Sequence, residues 1–289
     1  MIEGTIPALL TPLAAGGAEV DLDGLDEHVA WLAEHGVRCV SPLGSTGEGP
    51  SLSLSERMRV LERLGRHPSR IALLAGTGCT SLPETIELSR GALELGVAGL
   101  LVAPPSYYAV TTAGTTAYLT RLLDALPADS QVFVYHIPSL TGVPIEDETL
   151  RALGPRIAGA KDSGGDPAHT ARWVRDHPGL TILSGSDAAA AAHYAVGGRA
   201  TITMLANIVP GELDRIRQDP GGTEAGHAQE FLAAVRALVG EFPRHAALKH
   251  LLHLVSGLPR SSVRPPLDEL TPEQTNALET RFTTLRGER

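Results

Sequence analysis

Lysine is almost missing from this chain. Of its 24 basic residues 22 are arginine, and only Lys161 and Lys249 are lysine. Arginine serves wherever charge alone is required, because its guanidinium stays protonated, whereas an ε-amine can lose its proton on burial and act as a nucleophile or form a Schiff base. The counts admit two readings, an amine kept for its chemistry or two surface lysines spared by an arginine-rich composition. Cysteine is as scarce. Cys39 and Cys79 are too few for a disulfide framework and lack metal-site spacing, so both are expected to be reduced thiols, mostly buried. No apolar segment reaches the ~18 residues of a membrane helix, since Arg, Asp, Glu or Pro interrupts every run. The opening MIEGTIPALLTPL has no basic region ahead of its apolar run, which argues against a signal peptide and for a cytoplasmic location. Basic clusters are absent too, and a formal charge of −9 argues against nucleic acid as a partner. His245, His250 and His253 share a helical segment, but no carboxylate set accompanies them, so neither a metal nor another cofactor is expected.

What is present is a regular alternation. Eight short runs rich in Val, Ile and Leu recur along the 289 residues: TIPALL, VRCVSPLG, IALLAG, VAGLLVA, QVFVYHI, IAGAK, TILSG and RATITM. Between them lie segments such as LSERMRVLERLG and PETIELSRGALELG, whose apolar residues return at helical intervals. Strands alternating with helices imply right-handed βαβ units and parallel pairing, and eight units predict a (β/α)8 TIM barrel over residues 1–207. Residues 208–289 read as a C-terminal helical extension of the same domain, since no Gly/Ser/Pro linker sets them apart. The competing doubly wound sheet would carry G-x-G-x-x-G after its first strand, and the sequence has none.

In a barrel the chemistry sits at the carboxyl ends of the strands, and that rule sorts the polar residues. GSTGEG after strand two packs two hydroxyls and several unhindered amides (Gly44, Ser45, Thr46, Gly47) into one turn before a helix, which suits a carboxylate or phosphate; such turns also serve only as helix caps. Tyr135 ends strand five, where its hydroxyl could move a proton or simply be satisfied by packing neighbours. Lys161 ends strand six, and because strand side chains alternate faces, Asp162 need not lie beside the amine. An amine, a neighbouring phenol and an anion-binding turn fit a 2-keto acid. The turn would hold its carboxylate while the amine attacks its ketone, and the protonated imine would let a carbon–carbon bond form or break through an enamine.

These residues resemble a known family, the pyruvate-dependent class I aldolases that include dihydrodipicolinate synthase and N-acetylneuraminate lyase. The matching motifs are GTIPALLTPL, GSTGEG, PPSYY, VYHIPSLTGV, AGAKDSGGD and GGRATITMLAN, with VRPPL continuing the match near the C-terminus. The resemblance implies that Lys161 is the Schiff-base lysine, Tyr135 the proton relay, and Ser45 and Thr46 the contacts of the pyruvyl carboxylate. It implies that Tyr108, or adjacent Tyr107, is lent across a subunit interface, that Ile202 and Thr203 line the pyruvate pocket, and that the protein is a homotetramer. Gly185 and Asp187, in SGSD after strand seven, fall at substrate-binding positions. Three departures stand out. His136 replaces a more usual Asn, Leu140 replaces the arginine that dihydrodipicolinate synthases use to hold the aldehyde's carboxylate, and Ala188 replaces the glutamate that binds the sugar chain in sialic acid lyases. The expected function is therefore a Schiff-base lyase or aldolase acting on pyruvate and a small aldehyde, or on the corresponding 2-keto acid, of the 2-keto-3-deoxy sugar acid type. The alternatives are dihydrodipicolinate synthase itself and a non-catalytic keto-acid-binding regulator.

Overall fold

The computed structural model describes residues 2–287. Eight parallel strands form one sheet: β1 (Gly4–Pro7), β2 (Cys39–Val40), β3 (Ala72–Gly76), β4 (Gly99–Val102), β5 (Val132–His136), β6 (Gly159–Asp162), β7 (Thr181–Ser184) and β8 (Ala200–Thr203). Each pairs with its sequence neighbour, β1 also pairs with β8, and a parallel bridge between Ala8 and Ser41 brings β1 against β2, completing a (β/α)8 TIM barrel. Every strand falls on one of the eight apolar runs, with β1 beginning one residue before its run and β6 ending one residue after.

Helices fill the connections: α1 (Leu22–Glu34), α2 (Leu54–Gly65), α3 (Leu82–Glu94), α4 (Thr112–Asp124), the single turn α5 (Pro138–Thr141), α6 (Asp147–Leu153), α7 (Pro167–Asp176) and α8 (Ala190–Ala195). After the barrel come α9 (Pro210–Gln218), α10 (Thr223–Gly240), α11 (Arg244–Ser256) and α12 (Pro272–Gly287). Local signals start and stop them. Asp21, Ser53, Ser81, Thr111 and Asp166 each accept a first-turn N–H at a helix N-terminus, and at α2 Glu56 reaches back to the Ser53 N–H in a full capping box. The long C-terminal pattern breaks into α10 and α11 at Phe242-Pro243, because proline has no N–H to continue a helix.

The core has two layers around the strands. Ile6, Leu74, Leu101, Phe133, Leu183 and Ile202 fill the barrel interior, while Val40, Leu73, Leu100, Val134, Ala160 and Ile182, one residue along, pack outward against the helices. This period of two assigns each strand residue its face. Gly159 is dictated here, since a Cβ there would collide with the Thr181 carbonyl and crowd the Phe133 ring inside the barrel. A third cluster joins α9–α12 to Leu10, Tyr194 and Leu205, so the C-terminal helices are packed onto the barrel. No helix among the described residues is long and apolar enough to cross a membrane.

Candidate active site

Lys161 and Tyr135 are direct partners in the parallel register of β5 and β6, so both side chains enter the barrel mouth side by side. The amine donates to the Tyr135 hydroxyl at 3.0 Å and lies 4.1 Å from the centroid of its ring. Ser45 Oγ approaches the same hydroxyl at 3.4 Å. Lys161 is only 4% exposed, yet it borders a cavity of about 360 Å³ whose wall also includes Ser45, Thr46, Leu140, Gly185 and Ile202. An adjoining cavity of about 410 Å³ shares Ser45, Tyr135 and Leu140 but extends toward β3 and β4, away from Lys161; of the two, the smaller one is lined by Lys161.

The Gly44–Gly49 turn is held in a demanding conformation. Leu43 and Glu48, which flank its hydroxyls, both have positive φ, at 64° and 55°. At Gly47 and Gly49 a Cβ would collide with the carbonyls of Leu9 and Leu43, so these glycines are required by close approach of backbone. Gly44 lines the larger cavity. The turn thus presents Ser45 and Thr46 to the smaller cavity while its other side is packed against the segment that follows β1.

Electrostatics single out Tyr135. Burial would raise its phenol, but the Lys161 charge and hydrogen bonds with Ser45, Lys161 and Ser163 outweigh burial and hold it below its ordinary value. Asp162 faces the opposite way, as strand alternation predicts: it accepts from Gly164 N at 2.8 Å, His169 Nδ1 at 2.8 Å and Thr170 Oγ1 at 2.7 Å. His136 joins this cluster, stacked on His169 with ring centroids 5.1 Å apart. Two imidazoles and a carboxylate here have the spacing of a metal centre. The tautomer speaks against one, because His136 Nδ1 accepts the Ile145 N–H at 3.0 Å, which leaves the proton on Nε2, the atom that faces Asp162. His245, His250 and His253 diverge to the Ser45 carbonyl, Glu279 and the Leu258 carbonyl, and do not converge on a common point.

The model of the Dihydrodipicolinate synthetase family matches residues 1–285. The chain belongs to the dihydrodipicolinate synthetase family. An uncharacterized DapA-like lyase of Chloroflexus aurantiacus is 42% identical, over 95% of this chain and 94% of that protein. A 4-hydroxy-tetrahydrodipicolinate synthase of Methanoculleus marisnigri is 30% identical over 96% of this chain and 97% of its own length. Among solved structures, YagE, a prophage protein of the dihydrodipicolinic acid synthase family from E. coli K12 in complex with pyruvate, superposes with a TM-score of 0.92 at 27% identity, covering 99% of both chains. Members of the family are lyases and aldolases, which supports an enzyme.

Measured against the family's pattern, the fold brings Lys161, Tyr135, Ser45, Thr46, Leu140, Gly185 and Ile202 to one cavity wall. Gly47, Asp187, Thr203 and Tyr108 are not brought there. Gly47 is buried against Leu9 and Thr11, in the segment that follows β1. Asp187 is fully buried behind the wall, accepting from Leu205 N at 3.2 Å and Arg236 Nη1 at 3.3 Å; burial pushes its carboxyl above the usual range, against the pull of Thr203 and Arg236. Thr203 follows Ile202 by one residue and so faces outward, beside that carboxylate. Tyr107 and Tyr108 are 87% and 71% exposed, with their rings edge to face. The reading of two surface lysines is corrected: Lys249 is 3% exposed, paired with Glu48.

Several cavity residues escaped the sequence reading, Ser163, Arg236, Arg244 and His245 among them. Ser163 is two positions after Lys161 on the same face, a signal the strand period carries, and a Cβ at Gly185 would strike its hydroxyl. Arg236, Arg244 and His245 come from α10 and α11, and nothing local marks them.

Proposed function

We propose that this chain is a Schiff-base lyase or aldolase in which the Lys161 amine attacks the ketone of pyruvate or of a longer 2-keto acid. The observation that carries this reading is the amine itself, buried in the wall of a cavity and hydrogen-bonded to a phenol at 3.0 Å. Nitrogen adds to the carbonyl carbon, the oxygen leaves as water after two proton transfers, and a protonated imine results. Tyr135 is the group placed to pass those protons, while Ser45 and Thr46 hold the carboxylate. Loss of a proton from the adjacent methyl gives an enamine that attacks an aldehyde; the reverse sequence cleaves a 2-keto acid. No metal or other cofactor is required by these steps. A non-catalytic regulator would have no use for the amine–phenol contact.

The favoured acceptor is a neutral hydroxyaldehyde, which makes the condensed product a 2-keto-3-deoxy sugar acid. Leu140 supports this, standing 61% exposed on the rim where it offers a carboxylate nothing. The second reading, a dihydrodipicolinate synthase, is favoured by Arg236 and Arg244 in the lining of the same cavity, either of which could pair with an aldehyde's carboxylate. The exposed Tyr107 and Tyr108 support a homotetramer, or at least a dimer, in which the tyrosine of one subunit completes the site of its neighbour. A cytoplasmic location belongs to the same reading. Borohydride reduction with pyruvate, followed by peptide mass spectrometry, tests the mechanism: the adduct is expected on the Lys161 peptide, and an adduct confined to Lys249, or none, would refute it.

A further inference from the structure

The second lysine is a deeply buried charge that the proposed chemistry leaves unused. Lys249 Nζ lies 2.5 Å from Glu48 Oε1, with the two side chains 1% and 0% exposed. Its ammonium also donates to the Ser262 carbonyl at 2.6 Å, and the other Glu48 oxygen accepts from Arg264 N at 2.9 Å. Glu48 belongs to the Gly44–Gly49 turn, three residues after Ser45, and its positive φ of 55° is one that a non-glycine residue keeps only when its surroundings hold it. The same helix grips the turn a second time. His245, one helical turn before Lys249 on α11, meets the Ser45 carbonyl through Nε2 at 3.0 Å. Arg264 continues the anchoring, since its guanidinium donates to the Gly17 and Ser51 carbonyls and to both Glu56 oxygens. The two hydroxyls facing the cavity are thus fixed from behind by α11 and the segment that follows it.

We propose that the buried Lys249–Glu48 pair is the device that positions the Ser45–Thr46 turn, so that helix α11, outside the barrel, sets how tightly the substrate's carboxylate is held. Glu48 and Lys249 are positioning residues, since neither offers a side-chain atom to the reacting centre. The pair explains why an amine and not a guanidinium stands at position 249: a compact ammonium fits between one carboxylate oxygen and one carbonyl, where a planar fork with five donors would leave several unsatisfied.

The inference rests on the imine reading, and the experiment separates the two. Borohydride trapping is followed against pyruvate concentration for the intact enzyme and for the double variant Glu48→Gln/Lys249→Met, which removes both charges and so strands neither in the interior. The pyruvate concentration for half-maximal trapping is expected to rise roughly tenfold or more, while the maximal trapping rate at saturation changes less than about threefold, because orientation is lost and the amine is not. Glu48→Asp keeps both charges but draws the carboxylate back by one methylene, and it should shift the half-saturation in the same direction. His250→Ala, which breaks the His250–Glu279 contact of the same helix, is the control: it should lower thermal stability without moving the half-saturation. Half-saturation within twofold of the parent in the double variant, or in Glu48→Asp should the double variant not fold, would overturn the proposal. A parent enzyme that is never trapped would instead sink the imine reading.

Discussion

Replacing Tyr135 by Phe deletes one oxygen and leaves the ring that lines the barrel mouth. That oxygen receives the Lys161 N–H at 3.0 Å and lies 3.4 Å from Ser45 Oγ, so it connects the amine to the turn. Losing a positioned proton-transfer group costs about 10²- to 10⁴-fold in rate, which corresponds to roughly 3–5 kcal/mol of barrier. The ground state suffers less. The ammonium loses one hydrogen-bond partner in a 4% exposed site, a cost of about 1–3 kcal/mol, so the variant should fold and still bind pyruvate. Steady-state kcat is therefore expected to fall at least about 100-fold, with a smaller change in KM. A second signature comes from pH. The parent phenol is held below its ordinary value, so it stops donating a proton earlier on the alkaline side than a free tyrosine would, and that limb of the kcat profile should vanish in the variant. Condensation kinetics from pH 6 to 10, with a coupled product assay, read both effects. Turnover equal to the parent at neutral pH, or an unaltered alkaline limb, would reduce Tyr135 to a packing residue.

If the acceptor is a neutral hydroxyaldehyde, kcat/KM for glyceraldehyde-type acceptors should exceed that for aspartate semialdehyde, and Leu140→Arg should narrow the gap. Efficient use of aspartate semialdehyde that is lost on Arg236→Gln or Arg244→Gln would establish the second reading instead. Light scattering should give at least a dimer of the 30.3 kDa chain, with Tyr108→Ala reducing activity; an active monomer would refute a shared site. Acid stability turns on two histidines. Burial lowers His28 and His193 from 6.5 to about 4, so both fold neutral while the unfolded chain binds their protons. Their contribution is complete above pH 6.5 and is lost as pH falls through about 4, with a slope approaching roughly 2.7 kcal/mol per pH unit for the pair. Denaturant titrations between pH 7 and 4 measure it, and a flat profile would contradict the burial argument.

The barrel was legible in the sequence because its signals are local. A strand buried on both faces is a short apolar run, a helix repeats its apolar residues every three or four positions, and eight alternations leave few ways to close. The same locality made Lys161 stand out, since composition and its position at a strand end need no tertiary information. Strand alternation even separated Asp162 from the amine.

The family resemblance placed Thr203 in the pocket beside Ile202, but strand alternation turns its side chain to the other face. What only the tertiary structure decided are the partners far along the chain. Arg236, Arg244 and His245 reach the cavity from helices whose own sequences read as ordinary amphipathic segments. The identity of the second lysine was decided in the same way. Position 249 looks like a polar residue on a helix, and only the docking of α11 over the turn, which sets Lys249 against Glu48 about 200 residues away in sequence, makes it a buried charge. Periodicity specifies which face of an element is apolar; which element that face meets is fixed by the closing of the barrel and the packing of the C-terminal helices around it.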